Sequence, residues 1–288
     1  MKYGCVQFNP TIGKIQNNVE KLFSLLKKNE EHLRSVDLLV FPELVLSGYN
    51  FKNSSEIEPF LEDVKNEKSP SLSFAKSVAE QYRCYTIIGF PEIQKFDDQT
   101  SYYNSTALVS PQAKLLRIYQ KHFLYDTDKT WATEGKGFMY DDSLPELGPI
   151  SMAICMDINP KDFTAPFEKF EYANFIKDQM MKESSILNSK KQMPPLIALS
   201  MAWLLCDSDC LTVPQPDLMN VKYWVARLSP LVDMEKDCTL LIANRWGQER
   251  DVTFAGSSCI LRIGHGKAVV HSLLNATEDN IAFAEIND

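Results

Sequence analysis

The sequence predicts an α/β fold built on a large mixed sheet system, and three observations carry that prediction. Short apolar runs of strand length recur along the chain, amphipathic helical stretches alternate with them in the first hundred residues, and no Gly/Ser linker or low-complexity block interrupts the 288 residues. We therefore read residues 1–288 as a single domain. At 44% hydrophobic and 24% charged residues, the composition is that of a globular chain able to bury a sizeable core.

The elements follow in order. "KYGCVQF" reads as a buried first strand; "NNVEKLFSLLKKNEEHL" places Val19, Leu22, Leu25 and Leu26 at helical spacing opposite a charged face, and "VDLLVFPE" is a second strand. The helix–strand order repeats in "SLSFAKSVAEQYR" and "CYTIIGFPE", which is expected to end in Phe-Pro-Glu as the second strand does. "YYNSTALVS", the turn "PQAK" and "LLRIYQKH" predict a β-hairpin. "GPISMAICMD" and "PPLIALSMAWL" are strands flanking a helix over roughly 165–183, with the polar "KESSILNSKKQM" expected as a flexible loop. The last third holds a helix at "LMNVKYWVARL" and strands at "CTLLIANR", "SSCILRI" and "AVVHSLL".

A net charge of −8 argues against nucleic acid as a partner, because phosphate binding needs clustered Lys and Arg; a cationic or neutral substrate suits the chain better. The seven cysteines, at 5, 84, 155, 206, 210, 238 and 259, are odd in number and scattered, and "MKYGCVQFNP" does not read as a signal peptide. Reduced thiols and a cytoplasmic location are expected. Only Cys206 and Cys210 are close, with no histidine near in sequence, so neither a metal nor another cofactor is expected. No apolar run approaches the ~20 residues that cross a bilayer, so no membrane partner is expected.

In α/β sheets chemistry collects beyond the carboxyl ends of strands, and three residues stand there: Glu43 after "LLVF", Lys121 after "LLRIYQ" and Cys155 within "SMAICMD". A thiol of pKa ~8.5 needs a base or a cation to become a nucleophile. A papain-like pairing would rest on His122, whereas a carboxylate base with a lysine fits the strand ends at least as well. The plain alternatives are that Cys155 is core packing, Glu43 a cap and Lys121 a surface charge.

"FPELVLSGY", "YQKHFLYDTD" and "AICMD" resemble the three catalytic segments of the nitrilase superfamily, and "VQFNPTIG", "YNSTALVSPQAK", "SMAWL", "ANRWG" and "FAGSSCI" fit in order across nearly the whole chain. "CYTIIGFPE", "KHFLYDTD", "ICMDINPKDFTAPFEKFEYANF" and "PDLMNVKYW" are similar to the branch of fungal amidases that convert N-terminal Asn and Gln of proteins to Asp and Glu. The resemblance implies a four-layer α-β-β-α sandwich, protein or peptide N-termini bearing Asn or Gln as partners, and a role at the entry of protein degradation. It also implies Cys155 as nucleophile, Glu43 as general base and Lys121 facing the oxyanion, with the Met156 N–H as a second donor. A small-molecule amidase of the same superfamily is the alternative; a non-catalytic scaffold is disfavoured by the intact Glu43, Lys121 and Cys155.

Glu134, in "WATEGKGF", matches a second glutamate that orients the lysine in this superfamily, or is an ordinary loop acid. An enzyme that selects α-ammonium groups is expected to hold a carboxylate near its nucleophile. Asp157 is the first candidate, unless it caps the following helix; Asp126 and Asp128 stand behind it, or serve turn chemistry. Tyr49, Trp131 and Trp203 could wall the pocket or pack in the core, and Trp224, Asn244, Arg245 and Trp246 are read as architectural. Two features depart from some fungal relatives: little chain lies between "SMAWL" and "PDLMNVKYW", and "KESSILNSKKQM" has no assignable counterpart.

Overall fold

Strands whose two faces are both covered read as unbroken apolar runs, and the first three strands show why. In β1 (Lys2–Gln7), β2 (Leu38–Val40) and β3 (Tyr85–Phe96), successive side chains go to opposite cores: Cys5, Leu38, Val40 and Ile87 to one, Val6, Leu39 and Ile88 to the other. The three strands are parallel neighbours. β4 (Gln99–Val109) and β5 (Leu115–Gln120) extend the sheet antiparallel, and β13 (Asn280–Glu285) closes its far edge against β1, giving the order β13-β1-β2-β3-β4-β5. The computed structural model describes residues 1–65, 69–96, 99–144, 146–186, 193–206 and 208–287.

A second sheet, in the order β12-β11-β8-β7-β6, is made of β6 (Ile150–Ile154), β7 (Leu196–Met201), β8 (Cys238–Asn244), β11 (Cys259–Gly264) and β12 (Lys267–Leu273). β9 (Trp246–Glu249) and β10 (Val252–Ala255) form a separate ribbon. The sheets meet face to face, β1 against β8 and β11, β2 against β7 and β8, and β3 against β7. Helices Ile15–Lys28 and Pro70–Tyr82 bury Leu22, Leu25, Leu26, Phe74 and Val78 on the outer side of the first sheet. Helices Glu171–Ile186 and Leu218–Arg227 bury Tyr172, Ile176, Val221 and Trp224 in the core of the second. The result is a four-layer α-β-β-α sandwich.

The structure departs from the expected elements at identifiable places. β3 does not end at Phe90-Pro91-Glu92 but runs on to Phe96, because all of it pairs antiparallel with β4, whereas β2 stops at Val40 before its own Phe-Pro-Glu. The helix read from about 165 begins at Glu171 and continues through Ile186, so the start of the expected "KESSILNSKKQM" loop is helical; residues 187–192 lie outside the described residues. The four-residue ribbon strands β9 and β10 and the six-residue β13 were not anticipated. No described helix is long and apolar enough to cross a membrane.

Candidate active site

Three of the site's segments leave strand ends at one end of the sandwich. Beyond β2, the chain turns at Phe41-Pro42-Glu43, where Phe41 N–H donates to Ile87 O (2.8 Å) and Leu44 takes a left-handed φ of 46°. Gly89 lies beneath this turn: a Cβ there would stand 2.8 Å from Glu43 Cα, Leu44 N and Pro42 O, so only glycine lets β3 approach so closely. Past β5, Lys121 N–H donates to Asn104 O (2.8 Å), and Lys121 O accepts from Gly135 N–H (2.8 Å). Cys155 follows β6 with φ 40°, opening the tight turn Cys155–Ile158. A non-glycine residue in that region costs about 1–3 kcal/mol and persists only where its surroundings hold it, here on the thiol's own backbone.

Glu43, Lys121, Asp128 and Asn104 form one fully buried polar cluster. Lys121 Nζ donates to Glu43 Oε1 at 2.7 Å and to Asp128 Oδ2 at 2.6 Å. Asn104 Nδ2 donates to the same two carboxylates, at 2.7 and 3.0 Å, and Tyr125 N–H donates to Asp128 Oδ2 at 3.0 Å. One cation thus faces two carboxylates. Burial, with the Asp128 charge behind it, outweighs Lys121 and lifts the Glu43 carboxyl from the ordinary 4.5 to about 7. The two carboxylates hold Lys121 protonated, well above the usual lysine range, against its burial. Burial, then the Glu43 charge, pushes the Cys155 thiol up, with Lys121 opposing. Glu43 Oε2 has no hydrogen-bond partner among the described residues.

Cys155, 8% exposed, opens onto a cavity of about 230 Å³. Tyr49, Tyr125, Phe163, Trp203 and Tyr223 supply its rings, and Asn159 and Asn220 its side-chain amides. Its polar members are held: Tyr223 Oη donates to Asn159 Oδ1 (2.8 Å) and Trp203 Nε1 to Asn220 Oδ1 (2.9 Å). Arg245, buried over the Phe254 ring, pairs with Glu249 at 2.8 Å, and Glu249 in turn accepts from Tyr49 N–H at 3.0 Å, fixing that wall.

Among the expected site residues, the structure brings Glu43 and Lys121 into contact and places Cys155, Met156, Tyr49 and Trp203 at the cavity. Asp157 does not reach it. Fully buried, its carboxylate accepts from Ile154 N–H (2.8 Å), Tyr119 Oη (2.8 Å), His122 N–H (3.1 Å) and Phe123 N–H (2.8 Å), so its lone pairs are committed to tying the Cys155 turn to the chain after Lys121. Asp126 points to solvent, with its side chain 81% exposed, and meets Lys129. Glu134 is exposed and pairs with Lys161 at 3.4 Å; the carboxylate on Lys121 besides Glu43 is instead Asp128, which was anticipated as a substrate contact or a turn residue. None of the described residues lining the cavity is an Asp or a Glu, contrary to the expected ammonium-binding carboxylate. Trp131 and Trp224 are core residues.

Asn104, Tyr125, Asn159, Phe163, Asn220 and Tyr223 were not anticipated. Asn104 had a visible signal, an amide inside the apolar run "YYNSTALV", since a buried polar side chain in a strand requires partners. Asn220, Tyr223 and Arg227 recur at i, i+3 and i+7, a polar line along the helix Leu218–Arg227.

A family model described as Carbon-nitrogen hydrolase matches residues 2–287. The chain is 54% identical over 286 residues to the Protein N-terminal amidase of Schizosaccharomyces pombe, covering 99% of each chain. It is 30% identical over 296 residues to the Protein N-terminal amidase of Saccharomyces cerevisiae, covering 81% of this chain and 64% of that one. A crystal structure of an N-terminal amidase with an Asn-Glu-Ala peptide superposes with a TM-score of 0.82 at 23% identity, covering 99% of this chain and 97% of the other.

Proposed function

Since the chain belongs to the carbon-nitrogen hydrolase family, we propose that it hydrolyses the side-chain amide of an N-terminal Asn or Gln in a protein or peptide, releasing ammonia and leaving Asp or Glu. The observation that carries this reading is the cavity beside Cys155: its walls are aromatic rings and amides, and no lysine or arginine is among the described residues lining it. A free amino acid or keto acid would bring a carboxylate that such walls leave uncompensated; in a peptide that group is a neutral amide. The α-ammonium suits aromatic faces, worth roughly 0.5–2 kcal/mol by cation–π attraction. Beneath them lies a cluster carrying one positive and two negative charges once Glu43 ionises.

In this reading Glu43 takes the Cys155 proton as sulfur bonds to the side-chain amide carbon. The oxyanion meets Lys121 Nζ, two of whose three donors are spent on Glu43 and Asp128, and the Met156 N–H. Glu43 passes its proton to the departing nitrogen, the C–N bond breaks and a thioester remains. Water, giving its proton to Glu43, then displaces the thiolate, which regains that proton. Asp128, rather than Glu134, holds Lys121 in place through the cycle. We further propose that the chain works as one domain, with β13 pairing to β1 across its whole length, that it acts in the cytoplasm, where its seven free thiols stay reduced, and that its product enters protein degradation through the new acidic N-terminus.

The test is ammonia release from Asn-Gly and Gln-Gly peptides with free and acetylated N-termini, beside free glutamine and a carbamoyl amino acid. We expect turnover of the free peptides alone and none by Cys155→Ser, whose hydroxyl Glu43 cannot readily deprotonate. Equal rates on acetylated peptides would make the protein a general amidase.

A further inference from the structure

We propose that Asp217, which does not line the cavity, is a positioning residue that sets substrate affinity through Asn220 and the Trp203 indole; the proposal rests on reading the cavity as the seat of the substrate's N-terminal residue. Trp203 forms part of the cavity wall beside Cys155. Its backbone is held by Asn244, whose Oδ1 accepts from Trp203 N–H at 2.8 Å while its Nδ2 donates to Gly256 O at 2.9 Å. Its ring is held by one polar contact, Nε1–H to Asn220 Oδ1 at 2.9 Å. That contact requires the Asn220 amide to present oxygen rather than nitrogen, since an indole N–H only donates.

Asp217 and the Leu204 carbonyl together settle the choice. Fully buried at the start of the helix Leu218–Arg227, it accepts from Asn220 N–H through Oδ1 (3.1 Å) and from Asn220 Nδ2 through Oδ2 (2.8 Å), while Leu204 O accepts the other Asn220 amide hydrogen (2.9 Å). A carboxylate cannot donate, so the Asn220 NH₂ must face it and Oδ1 must face the indole. Cys206 N–H also donates to Asp217 Oδ2 at 2.8 Å, tying the chain just beyond Trp203 and Leu204 to the same carboxylate. Asparagine caps a helix as well as aspartate does, so Asp217→Asn keeps the helix start but offers its neighbours one oxygen where there were two. An Asn220 amide turned to satisfy it sets NH₂ against the indole N–H, two donors face to face. The ring then loses its fixed tilt against Tyr223, whose centroid is 5.8 Å away.

The test is a double-mutant cycle of Asp217→Asn and Trp203→Phe on Asn-Gly and Gln-Gly peptides. Asp217→Asn should raise KM about tenfold with kcat within about threefold of wild type, and in the Trp203→Phe background, which has no indole N–H, it should leave KM unchanged. Inactivation of Cys155 by iodoacetamide should proceed at the wild-type rate. A KM rise undiminished in Trp203→Phe, or a parallel fall in kcat and in alkylation rate, would overturn the proposal and leave Asp217 a structural cap. If Asp217→Asn does not fold, Asp217→Ser, which still caps the helix but has no carboxylate to orient Asn220, takes its place in the cycle under the same expectations. A wild type that turns over neither peptide sinks the functional reading alone. The hydrogen-bond chain is then judged by tryptophan emission, where Asp217→Asn must shift the spectrum of the wild type but not that of Trp203→Phe.

Discussion

Two carboxylates share one buried lysine, and the consequence is a carboxyl tuned to neutral pH. Glu43 titrates near 7 because burial and Asp128 raise it more than Lys121 lowers it. If Glu43 is the base, kcat/KM should rise with pH through about 7 as the carboxylate forms. Asp128→Asn removes the neighbouring negative charge, so the acid limb should move to lower pH. The same substitution frees Lys121 from one of its two anchors, and kcat/KM at pH 8 should fall roughly 10²-fold, the penalty for a catalytic group misplaced by about an ångström. A pH–rate profile of wild type and variant checks both statements; an unshifted limb would take Glu43 out of the role of base.

At the scale of elements, the site depends on turns held from behind. The Cys155 turn, with its left-handed φ, is joined through Asp157 to the chain that follows Lys121, so one carboxylate keeps the Cys155 thiol and the Lys121 ammonium in register. Asp157→Asn loses acceptors for buried N–H groups and should cost about 1–3 kcal/mol in urea unfolding, with kcat falling on every amide substrate rather than KM rising on peptides alone. Selective weakening of peptide binding with unchanged stability would return Asp157 to substrate recognition. The Glu43 turn is held differently: its backbone rests on Gly89 of β3, and Ser200 of β7 donates to Phe41 O at 2.9 Å, so the junction of the two sheets sets the base.

For the molecule as a whole, the same buried carboxyls make stability depend on pH. Glu43 has a folded-state pKa near 7 against an ordinary 4.5, and burial also raises Glu62 and Asp157. At Glu43 the folded state therefore holds more protons than the unfolded chain between those two values, and the stability Glu43 contributes, full below about 4.5, is lost as pH rises through about 7, with Glu62 and Asp157 acting in the same direction. Tm should be higher at pH 6 than at pH 8. Glu43→Gln, which leaves Lys121 paired one-to-one with Asp128, should flatten that difference and be no less stable than wild type at pH 8 while losing activity. A wild-type Tm that rises from pH 6 to 8 would contradict this balance.

The alternation of strands and helices along the first hundred residues and the three strand-end residues were legible in the linear chain. Apolar periodicity reports which side chains are covered, and Glu43, Lys121 and Cys155 each stand where an apolar run stops. The ribbon β9–β10 and the strand β13 were not legible, because such short strands are made by their partners rather than by their own pattern. The carboxylates show the same division. Glu134, Asp126, Asp128 and Asp157 are alike as residues in acidic segments near the motifs, and only the packing separates them: Asp128 faces Lys121, Asp157 is enclosed by four donors, and Asp126 and Glu134 turn to solvent. Residue type supplies a charge; whether that charge acts as base, clamp or surface depends on donors brought from strands and turns up to 78 positions away, as Lys121 is from Glu43.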